Sequence, residues 1–159
     1  MNNKQSGFTL IELVVVITIL GILAAMALPR FTAIQADARL AKMNGAMGAV
    51  KSAAAMAHAT LLTRGYSSNY TGTPSTPAII IEGTTVSYVN GYPDAASIVP
   101  LAGLTTPDYV ITGLTAPVIA AVDANHTGGT ADCSISYTAP AAADTLPTYT
   151  VNATLATCA

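Results

Sequence analysis

Residues 8–28 read FTLIELVVVITILGILAAMAL and contain a single charged side chain, Glu12. An apolar helix of about this length crosses the hydrocarbon core of a bilayer. Lys4 precedes the run and no acidic residue lies in the leader before it, which favours a cytoplasmic N-terminus and an exported C-terminal part. The sequence therefore predicts a membrane-spanning helix.

An ordinary secretory signal is the alternative for the same segment. Lys4 would then be its basic region, and Ala25-Met26-Ala27 its small-residue cleavage site. The apolar run is longer than the usual core of about 7 to 15 residues, and it carries a glutamate near its start. Both features favour the membrane helix.

Glu12 is the unusual residue of this segment, because a carboxylate inside a spanning helix costs about 2.5 to 3.5 kcal/mol and usually has a function. The next basic residue along the chain is Arg30, more than four turns away. A cation must therefore come from another molecule. Cleavage just before Phe8 would create an α-amino group at the right depth on a neighbouring copy, which suggests a mechanism for setting register.

Residues 7–12, GFTLIE, resemble the cleavage and methylation motif of type IV prepilins of the type IVa kind. The resemblance implies that prepilin peptidase cuts after Gly7, removes residues 1–7 as a leader and N-methylates Phe8. It further implies that Thr9 and Glu12 serve assembly, with Glu12 paired to the Phe8 amine of an adjacent subunit.

The same resemblance implies a set of partners and a location. The partners would be further copies of the chain, the peptidase and methyltransferase, and an inner-membrane assembly platform with its ATPase. The precursor would sit in the inner membrane and the mature protein in an extracellular pilus on the cell surface.

Gly21 and Pro29 weaken helix formation at the end of the apolar segment, residues 8–29. A kink where the helix leaves the membrane is one interpretation. The similarity to pilins implies another, in which Gly21 to Pro29 loses helical structure inside a filament and lets the subunit stretch.

Residues 30–64 are predicted to form an amphipathic stem helix that continues the apolar one. Asp37, Arg39, Lys42 and Lys51 fall off its apolar stripe, which comprises Phe31, Ile34, Ala38, Ala41, Met47, Val50, Ala54, Ala57 and Leu61. Met43, Met47 and Met56 are expected to fill the core rather than bind a ligand.

Residues 65–159 are predicted to be a globular β-rich head, which makes the fold class α+β: a long N-terminal helix packed on a small antiparallel sheet. Asp94 is expected to cap a short helix over Ala95 to Leu101. The β-rich runs are Ala78 to Glu82, Thr85 to Val89, Tyr109 to Thr112, Val118 to Val122, Cys133 to Thr138 and Thr148 to Leu155.

Cys133 and Cys158 are the two cysteines, and an exported head favours a disulfide between them over two buried thiols. The resemblance to pilins implies that such a pair closes a C-terminal loop. Residues 89–95, VNGYPDA, are similar to a stretch of mannose-sensitive haemagglutinin-type pilins, although an ordinary Asn-Gly and Pro turn explains them equally well.

Charge and motif content exclude several function classes. All six basic residues lie in the first 64 positions, so no nucleic acid is expected at the acidic head. His58 and His126 belong to no catalytic motif, which predicts no enzyme and no cofactor. Asp123, Asn125 and Asp132 are a weak calcium candidate, so no metal site is expected.

The sequence thus predicts a structural subunit, the major pilin of a type IV pilus that serves adhesion, surface motility or biofilm formation. A pseudopilin of a type II secretion system and a minor pilin involved in DNA uptake are the alternatives. The cysteine pair and the acidic head disfavour them.

Overall fold

The computed structural model describes residues 8–75, 78–112, 118–121 and 133–158. Its contacts divide the chain into two units, residues 1–35 and residues 36–159. The first unit contains the start of helix α1, and the second contains the rest of that helix with all the strands. The helices are α1 (Leu10–Thr63) and α2 (Ala95–Leu101).

The strands of the second unit form one four-stranded sheet and two small hairpins. The sheet is antiparallel throughout, in the order β5-β6-β7-β8, and the hairpins are β1-β2 and β3-β4. The strands are β1 (Ile80–Ile81), β2 (Thr84–Thr85), β3 (Tyr88–Val89), β4 (Tyr92–Pro93), β5 (Tyr109–Thr112), β6 (Val118–Ala121), β7 (Ser134–Thr138) and β8 (Thr148–Val151).

The predicted α+β class is confirmed, with the second part of α1 packed against the head. Side chains from α1 share one core with the sheet, the β3 strand and α2. Tyr88 is 1% exposed, and its hydroxyl donates to the Ala57 carbonyl of α1 at 3.1 Å. The helix contributes Met43, Ala46, Met47, Val50, Ala53, Ala54, Ala57 and Leu61 to this core.

The predicted stripe of the stem helix is right from Met47 onward and wrong before it. Ala38 and Ala41 are exposed, whereas Ala36 and Arg39 are buried. Met56, expected in the core, is 43% exposed. Small alanine side chains make a weak contrast between helix faces, so the position of the sheet decides which face is covered.

Arg39 was predicted on the polar face, but it is buried because the C-terminal loop provides an acceptor. Its Nη1 donates to the Cys158 carbonyl oxygen at 2.7 Å. Cys158 is in turn bonded to Cys133, so the predicted disulfide is present and holds that loop to β7. A buried guanidinium needs such acceptors, because burying an unpaired charge is costly.

The turn residues explain where the strand predictions fail. Thr85 to Val89 was predicted as one strand, but residues 86 and 87 interrupt it and Tyr88–Val89 pairs with Tyr92–Pro93. Asn90 and Gly91 connect that pair with positive φ angles of 47° and 85°, as a two-residue hairpin turn requires. Residues 89–95 are therefore a hairpin followed by the Asp94 cap of α2, whose carboxylate accepts from the Ser97 amide.

Candidate assembly site

The first turn of α1 places Thr9 and Glu12 against each other. Thr9 lies immediately before the helix, and its carbonyl accepts the first helical hydrogen bond, from the Leu13 amide at 3.3 Å. Thr9 is therefore the N-cap, and Glu12 is the third helical residue. A threonine and a glutamate at these two positions form the arrangement known as a capping box.

Three hydrogen bonds complete the capping box. The Glu12 amide donates to Thr9 Oγ1 at 3.3 Å, and the Thr9 amide donates to Glu12 Oε2 at 2.9 Å. The Thr9 hydroxyl donates to the same carboxylate oxygen at 2.7 Å. Two amides at the start of the helix thus gain partners, and the carboxylate is held at the positive end of the helix dipole.

The carboxylate keeps capacity for a further partner. Both bonds to it end on Oε2, and within the described part of the chain no cation contacts either oxygen. A carboxylate held in place with a free oxygen can accept from a donor on another molecule. An ammonium group would satisfy both the charge and the hydrogen bond.

The surface around Glu12 is apolar. Leu10–Ala27 is long and apolar enough to cross a membrane, with a mean hydropathy of 2.7, and none of it is buried in the described structure. The exposed fraction is 90% for Phe8, 79% for Leu10 and 70% for Ile11. This surface needs either lipid or other protein to cover it.

The described structure contains only some of the predicted site residues. Thr9 and Glu12 are brought together, and Phe8 precedes them. Gly21 lies inside α1, which also runs through position 29 without an assigned break. Gly7 with the rest of the leader, and the calcium candidates Asp123, Asn125 and Asp132 with His126, lie outside the described residues.

The sequence analysis missed the capping box, although its signal was present. Thr9 was singled out through the family resemblance alone. The pattern of threonine, two residues and glutamate before an apolar run is by itself typical of a helix N-terminus. It would have assigned Glu12 a local partner in addition to the intermolecular one.

Comparisons with known proteins concern this same segment. Residues 2–28 match the family model described as the prokaryotic N-terminal methylation motif. The major component of the type IV narrow pilus of Thermus thermophilus is 48% identical over 54 residues, which cover 34% of this chain and 47% of that protein. The chain carries the N-terminal segment of a type IV pilin.

Other relatives agree with this pilin segment. The type IV major alpha-pilin of Moraxella bovis is 47% identical over 51 residues, 32% of each chain. The type IV major pilin protein of Neisseria gonorrhoeae is 55% identical over 42 residues, 26% of each chain. This chain thus spans about half or less of the length of the curated relatives it matches, and no solved structure matches it significantly.

Proposed function

We propose that this chain is the structural subunit of a type IV pilus, the major pilin, and that it polymerises through its N-terminal helix. The observation that carries the proposal is Glu12: a carboxylate in an exposed apolar helix, held by its own Thr9 and with one oxygen free of described partners. In a polymer, packed helices cover the apolar surface, and a neighbour supplies the cation.

Processing supplies that cation. Cleavage between Gly7 and Phe8 by prepilin peptidase removes residues 1–7 and creates an amine at Phe8, which stays protonated after N-methylation. The match of residues 2–28 to the methylation motif supports this step. A neighbour's Phe8 amine that reaches Glu12 neutralises both charges and defines one register between copies.

The helix then serves two states of the protein. Before assembly, Leu10–Ala27 holds the precursor in the inner membrane with the head outside. An assembly platform and its ATPase move subunits from there into the extracellular filament. Gly21 and Pro29 are the positions at which α1 loosens when it packs, because neither residue favours a continuous helix.

The role of the polymer is mechanical rather than catalytic. Adhesion, surface motility and biofilm formation all use a long surface filament, and the matched relatives are named pilus or fimbrial components. Within the described residues, no group of three or more His, Cys, Asp or Glu side chains is placed to hold a metal ion. A structural subunit needs no cofactor.

The test is the mass and N-terminus of this protein in filaments sheared from cells. We expect abundant protein that begins at N-methylated Phe8 and carries the Cys133–Cys158 disulfide. Processed protein confined to the envelope would replace the proposal with a pseudopilin or a minor pilin. Soluble protein that begins at Leu28 would identify the segment as a secretory signal.

Two variants of Gly7 sharpen this test. Gly7→Leu should leave uncut precursor in the membrane, because a bulky side chain blocks the cleavage site. Gly7→Ala is the matched control and should be cut at least in part. Mature protein that starts at Phe8 in the leucine variant would contradict the proposed processing.

A further inference from the structure

A cleft in the head is formed by four separate segments of the second unit. The cavity is about 180 Å³ and is lined by residues of α1, of the loop after it, of the β3-β4 hairpin and of the loop between β7 and β8. Its walls include His58, Asn69, Asn90, Tyr92, Asp144 and Leu146. It lies apart from the assembly site, and the proposed function makes no use of it.

Stacking and hydrogen bonds hold the α1 side of the cleft in place. The rings of His58 and Tyr92 stack with centroids 4.3 Å apart and planes 4° apart. The Nδ1 of His58 donates to the Gly91 carbonyl at 2.7 Å, since that oxygen can only accept. A Cβ at Gly91 would collide with the Ser68 carbonyl, so the hairpin and the loop are in close contact there.

The opposite side is fixed by two long-range hydrogen bonds. The Asn69 side-chain oxygen accepts from the Asp144 amide at 3.0 Å, and the Asn90 side chain donates to the Pro140 carbonyl at 2.9 Å. These bonds leave the Asp144 carboxylate and the Asn69 amide nitrogen without partners among the described residues. An acceptor and a donor are thus both available in the cleft.

The chemistry of the lining selects the class of ligand. No lysine or arginine is among the described lining residues, and Asp144 would repel an anion. Calcium needs six to eight oxygen ligands, usually from several carboxylates, and Asp144 is the single carboxylate lining the described cleft. A charged ligand of either sign is therefore disfavoured.

A neutral ring with several hydroxyl groups fits the remaining features. The carboxylate accepts from hydroxyls, the amide donates to them, and Leu146, which is 76% exposed, offers an apolar surface to the C–H face of a ring. The cavity is smaller than the roughly 300 to 1,000 Å³ of drug-sized sites, which suits a single sugar unit. The geometry points to a binding site for one neutral monosaccharide, either free or at the end of a glycan.

Saturation-transfer NMR on the full chain in zwitterionic micelles tests the site without any filament, because the cleft is complete in one copy. Detergents with sugar head groups must be avoided. The probes are the methyl glycosides of glucose, galactose, mannose and N-acetylglucosamine, with glucuronate as the charged comparison. A glycan that ends in the best monosaccharide, tested beside it, distinguishes a free sugar from a glycan terminus.

Asp144→Asn is the decisive variant. Asp144 has a φ of 59°, which asparagine tolerates, so the loop should keep its conformation while the charge is lost. We expect it to weaken binding about fivefold or more, since hydrogen bonds to charged groups are the stronger ones. Leu146→Ala, at an exposed position, should also weaken binding.

Glu82→Gln is the matched control. Glu82 is another exposed acid with a positive φ, 48°, in the turn between β1 and β2 and outside the cleft lining. It should leave binding unchanged. The site is refuted if no neutral probe shows transfer up to about 50 mM, a very weak affinity. Preference for glucuronate, or equal binding by Asp144→Asn and the unmodified chain, would refute it as well.

Discussion

The hydroxyl of Thr9 donates to Glu12 Oε2 at 2.7 Å, and the Thr9 amide donates to the same oxygen at 2.9 Å. The acid that the proposed polymer needs for an intermolecular contact is therefore already held in position within one copy. This relationship separates two roles of Glu12, helix capping through Oε2 and contact with a neighbour through the free oxygen. The two roles can be tested independently.

Thr9→Val removes the hydroxyl while keeping the shape of the side chain. We expect the first turn of α1 to lose about 0.5 to 2 kcal/mol of local stability, as for other lost N-caps. Amide hydrogen exchange at residues 10–13, measured in micelles, should become faster. Thr9→Ser retains the cap and should exchange as the unmodified chain does; equal exchange in all three proteins would show that the capping box is not formed.

Glu12→Ala should leave cleavage and methylation intact but abolish or strongly slow filament assembly. An amine buried without its partner costs about 3 to 5 kcal/mol, so each copy added to the polymer is penalised. The measurement compares mature protein in whole cells with protein in the sheared fraction. Asp37→Ala removes another exposed acid of α1 and is the control; normal piliation by the Glu12 variant would exclude the register mechanism.

Arg39→Met should destabilise the head by about 1 to 3 kcal/mol, because the buried Cys158 carbonyl loses its 2.7 Å donor. Lys51→Met, at an exposed position of the same helix, should cost much less. Denaturant unfolding of the full chain in micelles measures both. Replacing Cys158 with serine should cost about 3 kcal/mol and should make the Arg39 effect smaller, because both act on one loop; strictly additive losses would contradict this coupling.

Burial of Tyr88 predicts a loss of stability at high pH. Desolvation in the core raises the pKa of Tyr88 to about 12, and burial raises the pKa of Tyr137 as well. A raised pKa favours the neutral phenol in the folded state, so this stability is complete below about pH 10 and is lost as the pH rises toward 12. Melting temperature measured from pH 8 to 12 should fall most steeply in that window.

Tyr88→Phe separates ionisation from packing. It should cost about 1 kcal/mol at pH 8, where the bond to the Ala57 carbonyl is lost. Its stability should then decline less above pH 10 than that of the unmodified chain. The same alkaline decline in both proteins would mean that Tyr88 does not titrate from a buried position.

The features that could be predicted from the sequence are those with local causes. Apolar length defines α1, and the Asp94 cap defines α2 with the predicted bounds of Ala95 and Leu101. The strand from Tyr109 to Thr112 was likewise predicted with its observed bounds. Each of these signals lies within a few residues of the element it specifies.

The features that were missed depend on distant contacts or on very short elements. Arg39 is buried because of a carbonyl 119 positions away, which no helical pattern can reveal. The strand Tyr92–Pro93 has two residues and contains a proline, so it shows no alternation and looks like a turn. The cleft beside His58 requires four segments to meet, and no local motif specifies that meeting.

The most direct measurement of the central claim is a helical reconstruction of the sheared filaments by electron cryomicroscopy, at a resolution that shows side chains. We expect this chain in the filament, with the Phe8 nitrogen of one copy within about 4 Å of the Glu12 carboxylate of another, the usual limit for an ion pair. Filaments built of another protein, or a Glu12 carboxylate that contacts only its own Thr9 while the neighbouring Phe8 amine lies elsewhere, would contradict the claim.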